Sequence, residues 1–363
     1  MPVTAFKLIT KKGDVAHRHG DVIAGGLPSS TEPKDLVLVT GASGYLGAHV
    51  IEQLVKAEYR ARGTVRSTKL ATSRDAFSVY GDDVEIVGLD DLAGGDFSDV
   101  LKDVDAVIHV AAPISEDNAE QALKVAVDGS LNILRQAEKH GIKNFAYASS
   151  IVALSTAFLR GDYSPLKGDE WFPITKEEVL NGKDVDPYTI YIAEKVLSEK
   201  AVWEFAEQHP HIELTTVNPP FFYGPFAPGY RTPHETNTVS MSSMSTMSVF
   251  WDLLDPTAVS LPSTAFVKTS ETSPSPSSQP SPNRWVEPSE MVRLVERERP
   301  ELVGRISKVV ERVGVRSVVD LGRLKEVLGV EVRPWQQTVL DGVDALIDLE
   351  KEWEQRGAKL SRA

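Results

Sequence analysis

Residues 36–40, Leu-Val-Leu-Val-Thr, run directly into a turn with glycine at 41, 44 and 47, and the stretch that follows sets Val50, Ile51, Leu54 and Val55 on one side of a helix. An apolar run of this length bounded by glycine reads as a strand buried on both faces, the kind found in parallel sheets. The spacing after it reads as a helix over 48–57 that covers such a sheet. Glycines at a strand-to-helix turn let the backbone come close to a pyrophosphate, while the helix start offers unpaired N–H groups and the positive end of a dipole. The spacing here is G-x-x-G-x-x-G rather than G-x-G-x-x-G, and its setting between strand and helix points to dinucleotide binding.

The same alternation continues. Strands are expected at 61–66, 84–89, 106–110, 144–149 and 213–217, with helices between them, notably 119–140 and a long one reaching about residue 208. Strands alternating with helices require right-handed crossovers and a parallel sheet covered on both faces. The expected fold class is therefore α/β, a Rossmann-type doubly wound parallel sheet with a smaller C-terminal substrate domain. The expected organisation is a disordered tail over 1–35, a nucleotide-binding and catalytic domain over 36–226, and a substrate-binding portion over 227–363. A helix is expected at 289–299, and a terminal one whose face Val339, Val343, Leu346 and Ile347 belongs to the core.

Composition narrows the partners. The 363 residues are 41% hydrophobic and 25% charged, with a formal net charge of −13, which suits a globular chain and disfavours nucleic acid or an anionic membrane. No apolar run reaches the roughly 18 residues a membrane span needs. Cysteine is absent, which excludes disulfides, thiolate metal sites and cysteine nucleophiles and fits the cytosol. The expected partner is a small molecule, the expected metal none, and the expected state a monomer or homodimer.

Two further features carry chemistry. The end of the second strand reads Gly63-Thr64-Val65-Arg66-Ser67-Thr68-Lys69, without the acid that would bind a ribose 2′-hydroxyl. Arg66 and Lys69 can instead pair with a 2′-phosphate, which favours NADP(H). Asp91 and Leu92, after the third strand, are either part of an adenine pocket or, for the aspartate, a turn. Downstream, Tyr191 and Lys195 stand in a Y-x-x-x-K spacing, with the pair Ser149-Ser150 upstream. Glycine turn, serine pair, tyrosine and lysine in that order describe a nicotinamide-dependent oxidoreductase. His109, at a strand end, reads as a satisfied core histidine.

These residues resemble the extended short-chain dehydrogenase/reductases, the NAD-dependent epimerase/dehydratase superfamily, and within it the branch of dihydroflavonol reductases, cinnamoyl-CoA reductases and fungal aldehyde or ketone reductases. The matching segments are VTGASGYLG from Val39, TVRS from Thr64, AVIHVAAP from Ala106, YASS from Tyr147, YIAEKVLSEKAVWEF from Tyr191 and NPPFFYGPF from Asn218. The resemblance implies reduction of an aldehyde or ketone of a small organic substrate. Tyr191 would give the proton, Lys195 would favour the phenolate and grip the nicotinamide ribose, and Ser150, as the last serine before the strand ends, would orient the carbonyl oxygen. It implies cofactor contacts from Gly41, Ser43, Gly44, Tyr45, Leu46 and Gly47, and from Ala111, Ala112 and Pro219. Many relatives carry an asparagine in a proton relay where this chain has Ala126, so that relay is not expected.

One stretch departs from the pattern. Relatives carry a strand and helix reading roughly Val-Asp-Val-Arg-Asp-Val-Ala where this chain has Lys268-Thr-Ser-Glu-Thr-Ser-Pro-Ser-Pro276. Codons compatible with those residues, read one frame over, give Asp-Val-Arg-Asp-Val-Ala-Val-Ala. An out-of-frame segment ending near Arg284 or a Ser/Pro insertion is expected, with 268–283 irregular in either case. Two other functions fit the fold: a sugar-nucleotide epimerase or dehydratase that retains NAD, and a cofactor-sensing protein without turnover.

Overall fold

The computed structural model describes residues 34–112, 118–154, 170–183, 185–230, 238–240, 244, 246–258, 286, 288–308, 333–357 and 359–361. The expected tail up to residue 33 and the irregular segment 268–283 lie outside the described residues. The chain divides into two compact units, one drawn from residues up to 149 and 173–218, the other from 150–172 and 219–363. The boundaries fall between Ser149 and Ser150, between Phe172 and Pro173, and between Asn218 and Pro219.

The first unit holds six strands: β1 (Leu36–Thr40), β2 (Arg60–Val65), β3 (Val84–Gly88), β4 (Ala106–His109), β5 (Asn144–Ala148) and β6 (Glu213–Val217). They form one all-parallel sheet in the order β3-β2-β1-β4-β5-β6. The order reverses between β1 and β4, so the crevice beyond their C-terminal ends is where such a sheet binds ligands. The helices are α1 (Tyr45–Lys56), α2 (Leu70–Phe77), α3 (Ala119–Lys139), α4 (Lys176–Asn181) and α5 (Pro187–Gln208). α1 begins three residues before its expected start, because Tyr45 and Gly47 are already buried in its first turn.

Between the sheet and α3 and α5 lies a core of Leu36, Leu38, Val107, Phe145 and Leu214 from the strands, Ile133 and Leu134 from α3, and Val202 and Ala206 from α5. Each large side chain buried there contributes on the order of 1.5–3 kcal/mol. Asn118 caps α3, Thr175 and Glu178 form a reciprocal capping box on α4, and Asp186 accepts from Tyr188 and Thr189 at the start of α5. These caps satisfy backbone donors that a helix start leaves unpaired.

The second unit contains β7 (Thr238–Ser240), α6 (Met247–Leu253), α7 (Pro288–Glu298), α8 (Trp335–Gln355) and β8 (Lys359–Ser361), with β7 and β8 paired in parallel. Val339, Val343 and Leu346 of α8 are fully buried, whereas Ile347 is only partly so. Gly342 keeps α8 close to α6, since a Cβ there would lie 3.1 Å from the Phe250 ring. Arg299 pairs with Asp344 at 2.8 and 2.5 Å, and Arg305 with Glu350 at 2.6 and 3.0 Å, each through two parallel bonds onto α8.

The glycine turn leaves no room for a side chain at Gly47. A Cβ on Gly47 would come within 2.2 Å of the Gly41 carbonyl oxygen. Gly47→Ala should therefore lower stability by about 1–3 kcal/mol in urea unfolding. An unchanged midpoint would show that the turn opens freely.

Candidate active site

The turn after β1 is built for close approach. Gly41 has φ +75°, a left-handed conformation that favours glycine, and a Cβ there would sit 3.0 Å from the Ala111 backbone. Gly44 N–H bonds back to the Gly41 carbonyl at 3.0 Å and Gly44 heads α1. Unlike α3, α4 and α5, α1 has no side-chain cap, and its first turn carries no acidic residue. The positive end of its dipole is thus left to a ligand, and the glycines leave the space a phosphate group needs.

Beside this turn, Thr40 joins the two strands at the reversal. Its Oγ1 lies 2.7 Å from His109 Nδ1 and accepts the N–H groups of Val110 and Ala111, both at 3.1 Å. With both lone pairs taken, the Thr40 hydroxyl donates to Nδ1, so His109 carries its proton on Nε2. Burial, followed by the charge of Lys195, pushes the His109 pKa down to about 3. His109 is a neutral core histidine.

His109, Leu92, Ala111, Ala112 and Lys195 line a small cavity that leaves about 10 Å³ for the centre of a water molecule. That is room for about one water. Ala126, Gly129 and Ser130 of α3 close another side of it. Lys195 is buried, and burial pushes its pKa down to about 8 against the opposing charges of Glu194 and Glu199. Its ammonium lies 5.9 Å from the centre of the Tyr191 ring, one helical turn back on α5. Tyr147, on β5, is buried and pushed up to about 12, so it too stays neutral.

The structure thus gathers Gly41, Ala111, Ala112, Leu92, Tyr191 and Lys195 in the first unit. Ser150 and Pro219 belong to the second, where Ser150 is buried, accepts from Val152 N–H at 3.4 Å, and Pro219 accepts from Ile151 N–H at 3.0 Å. Arg66 is exposed at the end of β2, and Lys69 lies close enough for burial and the Arg66 charge to lower its pKa. Asp91 spends its carboxylate on the N–H groups of Ala93 and Gly94, both at 2.9 Å, a turn-forming role. Its neighbour Asp90 accepts the Ser67 N–H and hydroxyl at 2.7 and 2.5 Å, tying the ends of β2 and β3.

Sequence reasoning missed Thr40, Asp90 and Glu199. Glu199, 3% exposed, accepts from Ser149 Oγ at 2.6 Å and Asn218 Nδ2 at 2.7 Å. Its signal was present as an acid one turn beyond Lys195. Thr40 gave none beyond its place at the end of β1.

Comparison with known proteins now decides the family. The model of the NAD dependent epimerase/dehydratase family matches residues 37–246. The chain belongs to that family. It is 33% identical over 198 residues to aldehyde reductase 2 of Sporidiobolus salmonicolor, an alignment covering 52% of this chain and 58% of the relative. It is 30% identical over 208 residues to the NADPH-dependent methylglyoxal reductase GRE2 of Saccharomyces cerevisiae, with the same two coverages. Matches of this kind span 56 to 66% of the curated relatives' own length, less than two thirds. Among solved structures, yeast methylglyoxal/isovaleraldehyde reductase Gre2 complexed with NADPH superposes with a TM-score of 0.69 at 22% identity, over 87% of this chain and 99% of that one. UDP-glucuronic acid 4-epimerase from Bacillus cereus superposes with a TM-score of 0.60 at 16% identity, over 87% and 98%. These likenesses establish the Rossmann-type fold. Among the described residues no helix is long and apolar enough to cross a membrane, and no group of three or more acidic or histidine side chains could hold a metal ion.

The buried histidine makes a testable contribution to stability. Its pKa of about 3 in the folded state lies below the ordinary 6.5. Between those values the unfolded chain binds a proton that the folded chain refuses, so stability falls as pH drops through that window, by up to about 1.4 kcal/mol per unit. The stability advantage of wild type over His109→Gln, measured by urea unfolding, should shrink between about pH 7 and pH 5. A constant advantage would assign the acid sensitivity to carboxylates alone.

Proposed function

We propose that this chain is an NADPH-dependent reductase of an aldehyde or ketone group on a small organic substrate. The observation that carries the reading is the buried Lys195 ammonium, one turn from Tyr191 on α5, in the same cavity wall as Ala111, which abuts the Gly41 turn. A bound dihydronicotinamide would supply the hydride. Tyr191 would give its hydroxyl proton to the carbonyl oxygen as negative charge develops there. Lys195, charged below its pKa of about 8, would stabilise the phenolate left behind and hold the ribose hydroxyls. Ser150 would orient the carbonyl oxygen through a hydrogen bond.

The glycine turn with its uncapped helix would hold the pyrophosphate, through the backbone at Gly41, Ser43, Gly44, Tyr45, Leu46 and Gly47. The choice of NADPH rests on Arg66 and Lys69. Burial, followed by the charge of Arg66, lowers the Lys69 pKa, so two like charges stand near one another, and a 2′-phosphate between them would relieve the repulsion. Aldehyde reductase and methylglyoxal reductase among the relatives support a carbonyl substrate. An epimerase that retains NAD would call for an acid at the end of β2, where this chain has Arg66. A sensor without turnover has no need of Tyr191 and Lys195 together. A cytosolic location, which the absence of cysteine fits, and a monomer or homodimer complete the proposal.

A panel of aldehydes and ketones assayed by NADPH oxidation tests the activity. Tyr191→Phe removes the proton donor and keeps the ring, so turnover should fall by a factor on the order of 100 or more with cofactor binding retained. Near-normal turnover would remove Tyr191 from the mechanism. Arg66→Ala should weaken NADPH binding by about tenfold or more and NADH binding far less, because only NADPH presents a phosphate to the guanidinium. Fluorescence titration of both cofactors reads this, and an equal loss would make Arg66 an ordinary surface cation.

A further inference from the structure

We propose that Glu199 is a positioning residue for Lys195, supplying a buried negative charge at a fixed place that keeps the lysine protonated while tying α5 to the ends of β5 and β6; this rests on the reductase reading above. Three observations carry it. Glu199 is one helical turn beyond Lys195 on α5, so the two side chains share a helix face. Its Oε2 receives the hydroxyl of Ser149 at 2.6 Å and the amide of Asn218 at 2.7 Å, from the residues that follow β5 and β6. It is buried, and a buried carboxylate among neutral donors is costly unless a cation balances it.

The surroundings leave few other groups for that task. Facing Lys195 from β4 is His109, neutral for the reasons given, and from β5 Tyr147, also neutral. α3 contributes Ala126, Gly129 and Ser130 to the cavity wall, none of them charged. On α5 itself stand Tyr191, the neighbouring Glu194 and Glu199. Burial raises the Glu194 pKa, and among the described residues no side-chain hydrogen bond of the kind that fixes Glu199 holds its carboxyl. The fixed counter-charge is Glu199.

The test reads Lys195 directly in the full-length protein without cofactor, by titrating its Cε resonance with ¹³C-lysine labelling, the signal being assigned by its loss in Lys195→Met. Glu199→Gln removes the charge and should lower the Lys195 midpoint by about one pH unit. Ser149→Ala keeps the charge and should leave the midpoint in place. The basic limb of the kcat/KM profile should move to lower pH in Glu199→Gln and stay in Ser149→Ala. An unchanged midpoint in Glu199→Gln, or the same shift in Ser149→Ala, overturns the proposal. Should Glu199→Gln fail to fold, Glu199→Asp draws the carboxylate back by one methylene and supplies a second measurement: the Lys195 midpoint must fall, and no fall overturns the proposal equally. Because both titrations are independent of turnover, a protein that oxidises NADPH with no carbonyl would defeat the reductase reading while the midpoints still decide the electrostatic coupling.

Discussion

The hydroxyl of Thr40 is the contact on which the crevice depends. Thr40 and His109 are register partners across β1 and β4, the two strands between which the sheet order reverses. One side-chain oxygen there meets three groups of the neighbouring strand and the residues just after it, the imidazole and the N–H groups of Val110 and Ala111. The backbone after β4 is thereby fixed next to the turn after β1, where Gly41 permits an approach that a side chain would block. The same register row continues outward, with Thr64 on β2 on one side and Tyr147 then Thr216 on the other. Polar groups thus cross the C-terminal edge of a sheet whose interior is apolar, and Tyr147 and Thr216 find partners in Ser130 and Trp203.

Much of this was legible and some was not, for physical reasons. Strands buried on both faces announce themselves as apolar runs between turn residues, and all six start and end within a residue of their expected bounds. The short helices α2, α4 and α6 escaped because one or two turns carry too little periodicity to stand out. At the site, the residues proposed to touch ligands belong to motifs and could be read, whereas those that hold the motifs in place could not. Asp90 illustrates this: the sequence shows two adjacent aspartates after β3, and only the fold reveals that the first ties Ser67 while the second closes its own turn. Long-range partners such as Glu199 with Ser149 and Asn218 are fixed by topology, which no local pattern encodes.

α5 departs most from ordinary helix design. A helix packed on a sheet is expected to turn an apolar stripe inward and its charges outward. Glu194, Lys195, Ser198 and Glu199 of α5 are instead all buried. At spacings of one, three and four they occupy one broad face of the helix, and Lys195 and Ser198 line the same cavity. Desolvating three ionisable groups on one helix works against stability, which the apolar packing of Val202 and Ala206 farther along α5 must offset. A local rule broken at a cost, with the charges arranged around a single lysine, is what a functional site looks like when stability is not the quantity being optimised. A structural helix in this position would need only an acceptor for Ser149 and Asn218 at position 199 and could carry leucine or alanine at the other three. A proton-transfer site would lose the charge that sets the lysine, and with it the chemistry at Tyr191.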